Sequence, residues 1–382
     1  MSPWSEHQLA AKVPGTLAGL LGAGKVKLVK HREKPSVADL VISVAGKVFV
    51  VELKATTSAS AIAMAAQHVK GYATRIGRNV VPLVAVPFMG GVGRKICEEA
   101  GISWFDLSGN ARIIAPGLMV IIDGRPNRFR SAGRPPNLFA PMSSRVTRWL
   151  LMHAEEPMTQ REISRSTGLD EGFVSRIVAR LVSEKYVVRV GIDGQGDDCG
   201  SGFGYGSGAG AGESDGTGDS RPGSPALRVC NPALLLDAWR EAYQFSKHAL
   251  LQGHVAARSG DALLRFAADM FAEQGIEHAA TGLAGAWALT RFASFRIVTI
   301  YLAKDPSPVL LESLGFREDP RGANLWLVVP RDSGVFQGAL EKDGIRCVHP
   351  VQVYVDLKDH PERAAEAAER LRTELLTWRH DG

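Results

Sequence analysis

Asp39, Glu52 and Lys54 are the residues of this 382-residue chain whose types and spacing most directly suggest chemistry. Leu40-Val-Ile-Ser-Val and Val48-Phe-Val-Val-Glu-Leu are β-rich runs joined through Ala45-Gly46-Lys47, which reads as a hairpin. With Ala45 and Gly46 as the loop residues, the ladder sets Asp39 opposite Glu52. Opposed residues in such a ladder have Cα atoms about 4.5–5.5 Å apart. Two carboxylates held there repel each other unless a cation lies between them. Lys54 follows Glu52 by two residues and so projects from the same face of the strand. Mg²⁺ held by Asp39 and Glu52 would polarise a phosphodiester and acidify a bound water, which Lys54 would orient. The helically spaced segment from Ser58 to Arg75 adds Gln67 and Tyr72, with His68 nearby. The plainer alternative makes Asp39 a turn residue and Glu52–Lys54 a solvated strand end. Ser108-Gly-Asn-Ala-Arg112 either contacts phosphate at the mouth of the same site or forms an ordinary turn.

These residues have to be positioned by the elements around them. After the hairpin come a helix, a strand at Val80–Val86, a helix from Gly93 to Ala100 and a strand at Ile102–Leu107. In that order, Asp39, Glu52-Leu53-Lys54, Gln67 and Tyr72 resemble the PD-(D/E)XK restriction-endonuclease-like superfamily over about residues 25–122. The resemblance implies an α/β sheet domain over residues 1–124, with Asp39, Glu52, Lys54 and Gln67 as catalytic residues. It also implies Mg²⁺ as the cofactor, on Asp39 and Glu52. The superfamily includes members that bind nucleic acid without cutting it.

The net charge of +5 is regional. Residues 125–189 carry twelve Arg and Lys against six Asp and Glu, an excess larger than that of the whole chain. Clustered positive charge points to nucleic acid. Residues 125–142 read as a polar, proline-marked linker. Beyond it, Ser144 to His153 begins a helix with Val146, Leu150 and Leu151 on one face. Thr159-Gln-Arg-Glu162 is a capping box, Gly168 supplies a turn, and Asp170 caps a third helix with Val174, Ile177, Val178 and Leu181 inward. A strand, Tyr186-Val-Val-Arg-Val, comes next. Residues 143–190 and 226–230 resemble a winged helix-turn-helix whose third helix enters the major groove of double-stranded DNA. That resemblance directs Ser175, Arg176 and Arg180 to bases or phosphates, and Arg145, Arg148 and Arg161 to phosphates. Residues 191–225, with thirteen glycines and six acids, become a flexible insert at the wing tip.

Residues 231–382 begin with a helix from Asp261 to Gln274 and a short strand ending at Thr281. A glycine turn, Gly282-Leu-Ala-Gly285, leads into another helix, and Phe295–Leu302 forms a strand. This resembles the start of an α+β nucleotidyltransferase fold. Where active members carry a metal-binding Asp-x-Asp, this chain has Thr299 and Tyr301, so nucleotidyl transfer is not expected. Leu314–Glu318, Ala323–Val329, Gly344–Pro350 and Val351–Leu357 read as strands, and a final helix spans Pro361 to Trp378. His349 beside Pro350 reads as structural. Together with the winged helix, the pattern resembles AbiEi-like antitoxins and implies operon autorepression and neutralisation of a nucleotidyltransferase-type toxin.

The composition is ordinary and globular, with 45% hydrophobic and 22% charged residues. No run approaches the roughly 18 apolar residues of a membrane span, and no basic start precedes an apolar block as in a secretory signal. Four widely spaced cysteines form no CxxC, which points to a reducing, cytoplasmic and nucleoid-associated location. The fold expected is a multidomain α/β chain: a nuclease-like sheet domain, a winged helix and a nucleotidyltransferase-like domain. The function expected is DNA-binding regulation, with palindromic half-sites implying a homodimer. The alternative is a Mg²⁺-dependent DNA endonuclease targeted by the winged helix.

Overall fold

The computed structural model describes residues 5–24, 26–28, 38–55, 57–76, 80–129, 137–190, 226–292 and 294–378. The expected wing insert, residues 191–225, lies outside the described residues, as do Arg130 and Arg134 of the linker. The chain divides into two compact units: Met1–Asn137 with Asp237–Ala242, and Leu138–Leu236 with Tyr243–Gly382.

In the first unit the order is α1 (Glu6–Leu20), β1 (Val26–Leu28), β2 (Leu40–Val44), β3 (Lys47–Leu53), α2 (Ala59–Ile76) and β4 (Val80–Val86). Then come α3 (Gly91–Glu99), β5 (Ser103–Asp106), β6 (Ala111–Ala115) and β7 (Leu118–Ile122). The seven strands form one sheet in sequence order, parallel from β3 to β5 and antiparallel on both flanks. The β2–β3 register pairs Leu40 with Val51 and Val44 with Lys47, as the hairpin reading expects. Ala45 and Gly46 both take positive φ, 50° and 70°, the geometry a two-residue hairpin turn demands. Leu9, Val13 and Leu17 of α1 pack on one face of the sheet with Phe49, Val51, Leu83 and Phe105. On the other face Ile62, Ala65, Ala66 and Val69 of α2, with Cys97 of α3, cover Val50, Val84 and Trp104. Alternation along β3 therefore sends Glu52 to the α2 side, with Val50.

The second unit opens with α4 (Ser143–Met152), α5 (Gln160–Thr167), α6 (Glu171–Ser183), β8 (Val187–Val190) and β9 (Ala226–Val229). α7 (Pro232–Ala242), whose residues Asp237–Ala242 count with the first unit, precedes β10 (Ala249–His254), α8 (Gly260–Glu273), β11 (His278–Thr281), α9 (Gly282–Thr290) and β12 (Val298–Leu302). α10 (Pro308–Ser313), β13 (Arg317–Glu318), β14 (Leu325–Val329), β15 (Leu340–Lys342), β16 (Ile345–Cys347), α11 (Pro350–Asp356) and α12 (Ala364–Leu375) complete it. β8 and β9 pair antiparallel. The remaining strands form a mixed sheet in the order β13-β10-β14-β12-β11-β16-β15.

Two expectations need correction here. Val351–Leu357, read as a strand from its β-branched residues, belongs mostly to helix α11. All seven residues of α11 are buried, so its sequence lacks the polar face that would mark a helical period. The His349 side chain accepts a hydrogen bond from the Val351 amide at 3.2 Å, and Pro350 occupies the first turn, so local chemistry starts the helix. Of Leu314–Glu318 only Arg317–Glu318 is strand, because the preceding residues close helix α10.

Candidate nucleic-acid interface

In the winged helix each helix start follows from its cap. The Thr159 hydroxyl accepts from the Glu162 amide at 3.2 Å, and the Glu162 carboxylate accepts from the Thr159 amide at 2.6 Å. Those bonds hold the Glu162 carboxyl below its usual range. Gly168 ends α5 in the left-handed region at φ 67°, and Asp170 accepts from the Phe173 amide at 2.8 Å to start α6. Val146, Leu150, Ile163, Val174, Ile177, Val178 and Leu181 are all buried, so α4, α5 and α6 share one core. The side of α6 opposite that core leaves Ser175, Arg176 and Ala179 exposed. Arg161 and Arg165 on α5, Lys185, and Arg189 on β8 are exposed as well. Arg180 lies at the margin, half-buried and ion-paired with Glu184 one turn on. Burial raises the Glu184 carboxyl, and Arg180 pulls it back down.

Arg145 and Arg148 were expected at phosphates, and the structure places them elsewhere. The Arg145 guanidinium forms a fork on Asp332, with Nε–Oδ1 at 2.7 Å and Nη2–Oδ2 at 2.9 Å, and donates to Thr167 O at 3.2 Å. Arg148 is 2% exposed and donates through Nε and Nη2 to Gln352 Oε1 at 3.1 and 2.6 Å. Both therefore face the part of this unit built from β10 to α12. Close packing supports that contact. A Cβ at Gly338 would overlap Met152 Cε, and one at Gly334 would lie 2.6 Å from Arg145 Cγ. Sequence spacing could not find these pairings, because the partners are 187 and 204 residues apart.

Arg148 opens onto a buried polar network that sequence reasoning missed. Asp356, fully buried on α11, accepts from Tyr243 Oη at 2.5 Å, Tyr301 Oη at 3.1 Å, Gln352 Nε2 at 2.8 Å and Thr281 Oγ1. Burial pushes its carboxyl up to about 6 even though those four bonds pull it down. Thr299 and Tyr301, read from the sequence as standing in place of metal-binding aspartates, are both buried on β12, where Tyr301 meets Asp356 and Thr299 Oγ1 lies 2.9 Å from His360 Nε2. His360 also lies against the glycine turn, where a Cβ on Gly282 would approach its ring to 2.9 Å.

In the first unit Glu52, Lys54 and Asp39 do converge. Glu52 is 4% exposed, and its Oε1 lies 2.8 Å from Lys54 Nζ and 3.1 Å from His68 Nδ1. Oε2 is buried and has no hydrogen-bond partner among the described residues. Burial lowers the Lys54 ammonium, but the Glu52, Glu6 and Asp39 carboxylates together more than offset this and the group ends above its usual value. Asp39 Oδ2 accepts from the Leu53 amide at 2.7 Å. Gln67 is exposed on α2. Among the described residues no group of three or more His, Cys, Asp or Glu is arranged to hold a metal ion. Of Ser108-Gly-Asn-Ala-Arg112, the first three residues make a turn and the last two open β6. Asn110 is fully buried, donates to Asp106 Oδ2 at 2.8 Å and to Arg125 O at 3.0 Å, and accepts from the Arg125 amide at 2.8 Å.

Comparison with known proteins agrees with the second unit. Residues 228–377 match the family model described as transcriptional regulator, AbiEi antitoxin, type IV TA system. Residues 141–196 match the MarR family. No curated protein and no solved structure matches the chain. On these two matches, the helix-turn-helix and the domain after it are those of a DNA-binding transcriptional regulator of the antitoxin kind. No helix among the described residues is long and apolar enough to cross a membrane.

Proposed function

We propose that this protein is a repressor that binds double-stranded DNA through α5, α6 and the β8–β9 wing, and that its C-terminal region binds a nucleotidyltransferase-type toxin. The observation that carries the reading is the division of the arginines. Those on α4 are engaged within the unit, whereas Arg161, Arg165, Arg176 and Arg189 are exposed around the capped, exposed face of α6. The buried Thr299, Tyr301 and His360 make the nucleotidyltransferase-like outline of the C-terminal region a degenerate one, suited to binding rather than catalysis. A homodimer would place two α6 helices on palindromic half-sites.

The test is retention of fragments from a mixed duplex pool at low and physiological salt. Arg161→Ala is expected to weaken binding to all fragments alike and to reduce the salt slope by about one, the loss of one phosphate contact. Arg176→Glu is expected to abolish selective retention. A pool retained at low salt without selectivity, and lost equally from wild type and Arg176→Glu, would sink the regulator reading.

A second reading rests on the buried, partnerless Glu52 Oε2. Mg²⁺ commonly keeps several waters and takes one or two carboxylates, so on this reading Glu52 and Asp39 would be its ligands and water would fill the other positions. The ion would supply Lewis-acid activation of a phosphodiester and a water of lowered pKa. Lys54 would hold the Glu52 carboxylate in place through its hydrogen bond to Oε1, and Gln67 would face the nucleic acid from α2. In the same pool, Mg²⁺-dependent cutting lost in Glu52→Ala, with retention unchanged, is the outcome this reading requires. Intact fragments with Mg²⁺ present would discard it.

A further inference from the structure

The reading face of α6 is unusually bare of long side chains, and that narrows what it can read. An α-helix advances about 100° per residue, so Val174, Ile177, Val178 and Leu181 fall on one side and bury. The centre of the opposite side carries Gly172, Ser175, Arg176 and Ala179, all exposed. Three of these four are among the smallest side chains, which lets a helix axis lie close to base edges. Arg176 is the one long donor among them.

The two arginines on α6 differ in their surroundings. Arg180 is held by Glu184 at the edge of the buried face. Arg176 forms no ion pair among the described residues. Its guanidinium turns back toward the start of α6, with Cζ 5.8 Å from the centre of the Phe173 ring. Nη1 passes 3.7 Å from the Cβ position that Gly172 leaves empty. Asp170, the cap of α6, has Oδ1 engaged by the Phe173 amide. The Phe173 ring limits the guanidinium's freedom while its donors stay open. The start of a recognition helix is also the part that reaches base edges.

Building on the reading of α6 as the DNA-binding helix, we propose that Arg176 recognises a guanine in the major groove, with Ala179 against the methyl group of a neighbouring thymine. The planar fork of Arg176 donates two N–H groups to guanine O6 and N7, a pairing no other base offers. The thymine methyl provides the apolar contact that an alanine one helical turn further on can make. Glu171, exposed at the start of α6, adds an acidic group that disfavours a phosphate on its side of the helix.

The experiment starts with selection of the full-length protein on a random-sequence duplex library, then measures binding to the enriched duplex with single-atom changes. The expected result is an enriched G with a T within a base pair or two of it. Substituting 7-deazaguanine, which lacks N7, at that G is expected to weaken binding about tenfold, and uracil at the T two- to threefold. Arg176→Ala is expected to lose roughly ten- to a hundredfold and to accept any base at the G position, while preferences elsewhere in the site persist. Arg176→Lys is expected to recover phosphate attraction, read as salt dependence, without recovering the guanine preference. An enriched site bound equally well with 7-deazaguanine, or an Arg176→Ala protein that keeps the guanine preference, overturns the assignment and leaves DNA binding by the winged helix standing. No enrichment at any salt concentration overturns the DNA-binding reading and this assignment together. Thermal melting of Arg176→Ala alongside wild type separates loss of recognition from loss of fold.

Discussion

Arg148→Ala is expected to destabilise the second unit by about 3–5 kcal/mol, the range seen when one partner of a buried charged contact is removed. Arg148 is fully enclosed between α4 and α11, and its charge lies near Asp356, Asp332, Tyr243 and Tyr301. Burial lowers the guanidinium's pKa, and the two carboxylates oppose that fall. Truncation to alanine removes both Arg148 hydrogen bonds to Gln352 Oε1, leaves a cavity, and takes a positive charge from beside the buried Asp356 carboxylate. Each effect acts in the same direction. In thermal unfolding a loss of that size should lower the midpoint by on the order of 10 °C. Arg148→Met keeps most of the stem volume, so the difference between the two variants measures packing separately from charge. Urea unfolding midpoints for Ala and Met that both lie within experimental error of wild type would show that the Arg148–Gln352 contact contributes little. Because α4 also carries the core of the winged helix, the same variants are expected to weaken DNA binding only as far as they reduce the folded fraction.

Asp356→Asn is expected to raise stability at neutral pH and to change the pH profile in a defined direction. The folded carboxyl titrates at about 6 against an ordinary 3.8, so the native state holds this proton more tightly than the unfolded chain does. Stability from this group is therefore fullest below pH 3.8, declines as pH rises toward 6, and above that carries a penalty on the order of 3 kcal/mol. Asparagine removes the penalty. Its carbonyl can accept from Tyr243, Tyr301 and Gln352, and its amide can donate to Thr281 once that hydroxyl rotates. Two half-buried histidines titrate with the opposite sign in the same range. Burial pushes His248 and His349 down to about 4, so their contribution is present above pH 6.5 and is lost as pH falls toward 4. In wild type the Asp356 term partly cancels the histidine terms. The asparagine variant should thus be more stable at pH 7 and lose stability more steeply on acidification. Free energies of unfolding at several pH values between 4 and 7 test this. Parallel profiles for wild type and variant would show that Asp356 is not the titrating group.

The acidic cluster of the first unit was legible because its geometry is local. A two-residue turn with Ala45 and Gly46 at positive φ leaves one register for β2 and β3, and that register brings Asp39 and Glu52-x-Lys54 together. His68 on Glu52 was visible only as a nearby residue, because the packing angle of α2 on the sheet decides which of its side chains reaches the carboxylate. Gln67 and His68 are both exposed on α2, and it is His68 that reaches Glu52.

The sequence by itself determined what depends on a few consecutive residues: the β2–β3 turn, the Thr159–Glu162 box, the Gly168 stop, the Asp170 cap, and hence the faces of α6. Each is a backbone preference or hydrogen bond closed within about one helical turn, so chain order is sufficient information. The tertiary structure alone decided the fate of Arg145 and Arg148, the helical state of Val351–Asp356, and the assembly of Asp356 with Tyr243, Thr281, Tyr301 and Gln352. A guanidinium has the same local propensity whether it meets a phosphate or a carboxylate. Burial and partners distant in the chain make that choice, and they exist only once the sheet and helices of the second unit have packed.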